Sequence, residues 1–188
     1  MIAAIVALFV APALAATPTV DLSADDLARL ADREVVIRQD PTDAGMYTIG
    51  VVDVNAAPSR VFDAILDLEA RVGEVGGLRG VARYLNEPNL IGARWELSVV
   101  GKAISFTTLY EIDRAGLTAN YYMDKSQTND IEDVKGTYAV LPSGSGGARL
   151  FYRSITDSGV YVPGWIKNML ANSSLVEVLE GMRARAEK

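Results

Sequence analysis

The chain has 188 residues, 49% apolar and 22% charged, with a net charge of −6, which bounds it to one globular domain with a real core. An acidic chain without a basic run is a poor match for phosphate, so nucleic acid is excluded as a partner. With no Cys and no His, thiol nucleophiles, disulfides, imidazole bases, Ser-His-Asp triads and Cys- or His-ligated metal sites are excluded as well, and any chemistry falls to Asp, Glu, Lys, Arg, Tyr, Ser or Thr.

Residues 2–14 are apolar apart from Pro12, and Ala13-Leu14-Ala15 before Ala16 fits a small-x-small cleavage site. The run falls short of the ~20 apolar residues that a membrane span needs. Residues 1–15 therefore read as a secretory signal peptide cut after Ala15, and the mature chain is expected in the periplasm. Residues 16–33 read as a linker and a short helix. Ser23 ahead of Asp25, Asp26, Leu27 and Leu30 predicts a capped helix over 24–31.

The domain proper is assigned to residues 34–188. Val35, Val36 and Ile37 mark a strand over 34–39, residues 40–45 have turn chemistry, and 46–54 is a second strand, together a hairpin. Pro58 suits the first position of a helix. Val61, Phe62, Ile65, Leu66 and Leu68 follow at the spacing of a one-sided apolar stripe, with Asp63, Asp67, Glu69 and Arg71 on the polar side. This helix is expected to end near Val75, at Gly76-Gly77.

Six strand-like segments follow: 80–85, 94–100, 103–112, 117–124, 131–141 and 148–155. Short joints separate them, as antiparallel neighbours require. Trp95, Leu97 and Val99 alternate with Glu96 and Ser98. Ile104, Phe106, Thr108, Tyr110 and Ile112 share a face opposite Ser105, Thr107 and Glu111. Such alternation suits an antiparallel sheet backed by a helix. That helix is expected after Pro163, over roughly 22 residues or about 33 Å. The fold class is thus α+β, a curved antiparallel sheet of about six to seven strands around a long C-terminal helix.

This order resembles the START-like superfamily, also called SRPBCC, helix-grip or Bet v 1-like. Its members include START lipid-transfer domains, coenzyme Q-binding proteins and polyketide cyclases. The residues that carry the resemblance run from Val51 to Glu69, a strand, a small-residue-Pro turn and a helix with Phe62. A second block is Val162-Pro163-Gly164-Trp165-Ile166, opening a helix that ends in Arg183 and Arg185. The resemblance implies an internal cavity for a hydrophobic small molecule such as a lipid or isoprenoid.

The residues themselves supply a candidate lining. Trp95, Leu97, Phe106, Tyr110, Tyr138 and Tyr152 from the strands, with Trp165 and Met169 from the last helix, are expected to face one interior. Tyrosines outnumber phenylalanines eight to four, and a buried Tyr needs a partner for its hydroxyl. Asn168, Asn172, Ser173 and Ser174 sit mid-helix, where a dry core would penalise them by ~1–3 kcal/mol for each unpaired group. Both points favour a cavity over a filled core.

Among the strand charges, Arg94, Asp124, Lys125 and Lys135 are expected on a solvated outer face, and Arg153 is taken as the head-group anchor. Asp124, Asp130, Glu132 and Asp133 lack EF-hand spacing and its loop glycine, so neither a metal nor a cofactor is expected. Gly76-Gly77-Leu78-Arg79-Gly80 precedes a strand, not a helix with Lys, and reads as a gate loop.

The reading that follows is a monomeric carrier of a hydrophobic ligand, making transient membrane contact, without an assigned catalytic residue. Two alternatives stay open: a polyketide cyclase or aromatase using the same cavity, and a protein-interaction module with a solid core.

Overall fold

The computed structural model describes residues 20–42, 45–99, 101–144, 146–157 and 164–188, the side chains of 99 and 164–174 excepted. Residues 1–15, read from the sequence as a signal peptide, and most of the expected linker lie outside the described residues.

Helix α1, Ala24–Ala31, begins as its sequence dictates. The Asp26 amide donates to Ser23 Oγ at 3.2 Å, and the Ser23 amide donates back to the Asp26 carboxylate at 2.8 Å, a reciprocal cap. Strands β1 (Val36–Thr42) and β2 (Gly45–Val54) form the hairpin. The strand runs on through residues expected to be turn, with Asp40 opposite Tyr47 and Pro41 opposite Met46. Proline is tolerated there because β1 is an edge strand.

Helix α2, Pro58–Leu66, takes Pro58 in its first turn. It stops nine residues short of the end expected near Val75, because Asp67 leaves helical geometry at φ −79°, ψ 75°. A 3-10 turn, Glu69–Arg71, follows. Arg71, assigned to the polar side of a longer helix, is carried inward and is only 4% exposed.

The remaining strands are β3 (Leu78–Glu87), β4 (Leu90–Val99), β5 (Lys102–Asp113), β6 (Thr118–Met123), β7 (Asp133–Pro142) and β8 (Ala148–Asp157). All eight belong to one antiparallel sheet in the order β1-β2-β8-β7-β6-β5-β4-β3. The count exceeds the expected six to seven because the hairpin joins the sheet, β2 pairing with β8 from Thr48–Ser154 to Val54–Ala148.

The sheet buries both faces at one end. Leu30 of α1 covers Val36, Ile49, Val51, Ala139 and Phe151 on the outer side. On the inner side, Phe62 and Ile65 of α2 and Leu175, Leu179 and Met182 of α3 (Gly164–Ala186) share a core with Val52 and Leu150. The alternation along β8 divides the two: Leu150 and Tyr152 inward, Phe151 outward. Helix α3 approaches β2 closely at Gly50, where a Cβ would stand 2.6 Å from Leu179 Cδ1.

The end of α3 is pinned by charge. Glu187 accepts from Arg33 at 2.7 Å and from the Asn55 amide at 2.8 Å. Arg183 donates to the Arg33 carbonyl at 2.7 Å, and Arg185 donates to the Ala64 carbonyl at 2.9 Å and pairs with Glu74. These bonds fix the last turns of α3 against the α1–β1, β2–α2 and η1–β3 connections, η1 being the 3-10 turn.

Candidate ligand-binding site

Period-two alternation places one aromatic from each of β4 to β8 on the inner face, and two from β5. Trp95 lies opposite Phe106 across β4–β5, Tyr110 opposite Tyr121 across β5–β6, and Tyr138 opposite Tyr152 across β7–β8. The rings form two groups on this face, the Trp95–Phe106 pair and the run Tyr110–Tyr121–Tyr138–Tyr152. Centroids are 6.4 Å apart for Trp95 and Phe106, 5.3 Å for Tyr110 and Tyr121, 5.7 Å for Tyr121 and Tyr138, and 5.0 Å for Tyr138 and Tyr152.

The polar ends of these side chains are paired. Trp95 Nε1 donates to Thr108 Oγ1 at 2.8 Å, and the Tyr121 hydroxyl donates to that of Tyr152 at 2.9 Å. Gly136 makes room for the Tyr121 ring; a Cβ there would meet its hydroxyl oxygen at 2.5 Å.

Arg71 reaches the same rings from the turn after α2. Its Nη1 donates to the Tyr138 hydroxyl at 3.3 Å and its Nη2 to the Ile65 carbonyl at 2.7 Å. The guanidinium carbon lies 5.4 Å from both the Trp95 and the Tyr138 ring centroids, within cation–π range. Nε is buried and has no hydrogen-bond partner.

Burial alone would lower the Arg71 pKa; the phenols of Tyr138, Tyr110 and Tyr152 outweigh it and hold the guanidinium above its ordinary value, a fixed cation. Burial raises the Tyr110, Tyr121 and Tyr138 phenols, and the nearby Arg71 charge only partly offsets this at Tyr110 and Tyr138. At neutral pH the site is one cation among neutral hydroxyls.

Six of the expected lining residues therefore meet. Trp95, Tyr110 and Tyr138 are buried in the inner core, and Leu97, Phe106 and Tyr152 pack against it. The side chains of Trp165 and Met169 lie outside the described residues. Arg153 does not join them. Next to Tyr152 in an extended strand, it points to the opposite face, pairs with Asp40 at 3.2 Å and lies 3.9 Å from the Tyr47 ring centroid. It lines a surface groove with Arg38 and Gln39, so the head-group anchor assigned to it is misplaced.

Sequence reasoning missed Arg71, Tyr121 and Thr108 as site residues. Tyr121 was legible, since it alternates with Ala119 and Met123 on the apolar face of β6. Arg71 carries no such signal, because the helix break at Asp67 has no glycine or proline.

The acidic residues are engaged in structure. Asp130 accepts from the amide and hydroxyl of Ser105, Asp124 from Tyr84 and Ser126, and Asp133 pairs with Lys125. Among the described residues no group of three or more His, Cys, Asp or Glu is placed to hold a metal ion. The loop expected as a gate is bonded on both sides: the Gly76 amide donates to Glu177 at 2.7 Å, and the Gly77 carbonyl accepts from the Ser98 amide at 2.7 Å.

No protein-family model matches the chain, and no curated protein sequence does. Solved structures do. A STAR-related lipid transfer protein from Xanthomonas axonopodis superposes with a TM-score of 0.68 at 15% identity, covering 82% of this chain and 93% of that one. The human StAR-related lipid transfer protein 5 gives 0.63 at 14% identity, over 81% and 82% of the two chains. The Zhui aromatase/cyclase of a Streptomyces species gives 0.61 at 15% identity, over 75% and 93%. The chain has the START-like, helix-grip fold. In START-like terms, the curved eight-stranded sheet is the grip, α3 is the gripped helix, and the aromatic rings with Arg71 lie on the gripping face.

Proposed function

We propose that the protein binds a hydrophobic small molecule, a lipid or isoprenoid, between the inner face of the sheet and α3, and carries it across the periplasm. The observation that carries this reading is the row of inward-facing rings on the inner face of a START-like sheet, a Trp95–Phe106 pair and a four-tyrosine run from Tyr110 to Tyr152, with Arg71 between the two groups. Apolar ligand sites are lined in this way, with few polar anchors. Two of the similar structures are named as lipid transfer proteins, which supports the same class of ligand here. A buried acyl or prenyl tail contributes about 0.8 kcal/mol per CH₂. The apolar run at residues 2–14 supports export, and the −6 charge favours brief contact with anionic membranes over adhesion.

The test is mass spectrometry of an organic extract of the mature chain purified from cells, together with titration of an uncharged fluorescent probe. A stoichiometric lipid and a blue-shifted, saturable probe signal are expected. An empty extract with no probe binding overturns the reading.

The Arg71 guanidinium beside the Tyr110 and Tyr138 phenols favours a second reading, an aromatase/cyclase-type enzyme. Those donors would hold an enolate oxygen of a folded polyketide. Conversion of a poly-β-keto thioester to an aromatic product would support this reading, and recovery of the thioester unchanged beyond its spontaneous products would exclude it.

A further inference from the structure

We propose that Arg71 is the anion subsite of this interior, so that the ligand is an amphiphile with a carboxylate head group and an apolar tail. The inference rests on the carrier reading above and names its ligand class. It starts from an imbalance of charge. Arg71 is 4% exposed and cationic, yet among the described residues no ion pair reaches it. Outside the described residues the only acid is Asp43, in the β1–β2 turn, and segment 158–174 contains none. A buried cation without a counter-charge is costly.

Hydrogen bonding is also incomplete. A guanidinium offers five N–H donors; Arg71 directs one to Tyr138 and one to Ile65, and the Tyr110 phenol is a further hydrogen-bonding neighbour. Nε is buried without a partner, and native interiors leave few such atoms unpaired. A water molecule would accept from Nε but leave the charge unbalanced. A carboxylate does both, and its planar pair of oxygens matches the guanidinium fork. The Trp95 and Tyr138 rings flank the guanidinium, so a head group held there leads its tail onto the aromatic rings. Arg153 and Arg185 also bury an Nε without a partner, but Arg153 pairs with Asp40 and Arg185 with Glu74, so their charges are balanced and neither offers an equivalent position.

The experiment uses the delipidated full-length chain and displacement of an uncharged naphthylamine probe by saturated fatty acids, from decanoic to octadecanoic, and by the matching alcohols. The acid is expected to bind about 10–100-fold more tightly than its alcohol, the range for a charge-assisted hydrogen bond. Arg71→Met is expected to bring the acid-to-alcohol affinity ratio close to one, and Arg71→Lys to restore part of the preference. Should R71M fail to fold, the acid-to-alcohol ratio of the wild type decides alone. Equal affinities for acid and alcohol overturn the anion subsite and leave the carrier reading standing. Loss of all probe, acid and alcohol binding in the wild type overturns both.

Discussion

The indole of Trp95 and the hydroxyl of Thr108 meet at 2.8 Å across β4 and β5, both side chains buried. This bond lets the larger of the two residues sit on the inner face without an orphaned N–H. Thr108→Val keeps the shape and removes the acceptor. The variant is expected to lose about 1–3 kcal/mol of stability, the cost of a buried unpaired donor, and to alter the near-UV circular dichroism of the indole. Chemical denaturation that matches the wild type would show that another acceptor takes over.

Gly136 is the position on β7 over which the Tyr121 ring lies. A methyl group there also meets the Arg153 carbonyl at 2.3 Å, so the strand and the ring must both give way. Gly136→Ala is expected to destabilise by about 1–3 kcal/mol, as overpacking does. It is also expected to break the Tyr121–Tyr152 hydroxyl pair and weaken probe binding, whereas Gly144→Ala, in open space, changes neither.

Acid is expected to loosen α3. Burial would raise the Glu187 pKa, but the Arg33 and Asn55 bonds and the Arg183 charge outweigh it and hold the carboxyl below its usual range. A carboxylate with a depressed folded pKa contributes stability that is present above the unfolded value of about 4.3 and is lost as pH falls through the folded one. Thermal melts of Glu187→Gln and wild type from pH 7 to pH 3 should therefore differ most near neutrality and converge in acid. A constant difference across that range would mean the Glu187 charge is irrelevant.

The sequence carried the architecture and part of the site. Pro58, the Ser23 cap and the alternation around Trp95 and Tyr110 are local signals, and each element they mark is present. Apolar strands that alternate can have only one inner face, so Trp95, Phe106, Tyr110, Tyr138 and Tyr152 follow from residue type and period. Arg153 lies on the outer face and Arg71 inside, each opposite to its expected side, for a physical reason. Position along an extended strand decides the face of Arg153 outright, but a residue flanked by Tyr152 and Ser154 was chosen for its neighbours instead. The inward course of Arg71 depends on a helix stopping at Asp67, where the packing of Leu68 outranks helical propensity; Leu68 is fully buried.

The cover of the sheet is uneven, with α1 shielding the outer side only over β1, β2, β7 and β8, while Arg94, Glu96 and Glu111 leave the outside of β4 and β5 to solvent. Amide protons in the doubly covered strands should accordingly exchange at the rate of global unfolding, and those of the β3–β4 hairpin sooner, through local opening. A guest spanning the rings from Trp95 to Tyr152 would stitch the loose half to the firm one, so that loading would be read most sharply as slowed exchange at the hairpin farthest from α1.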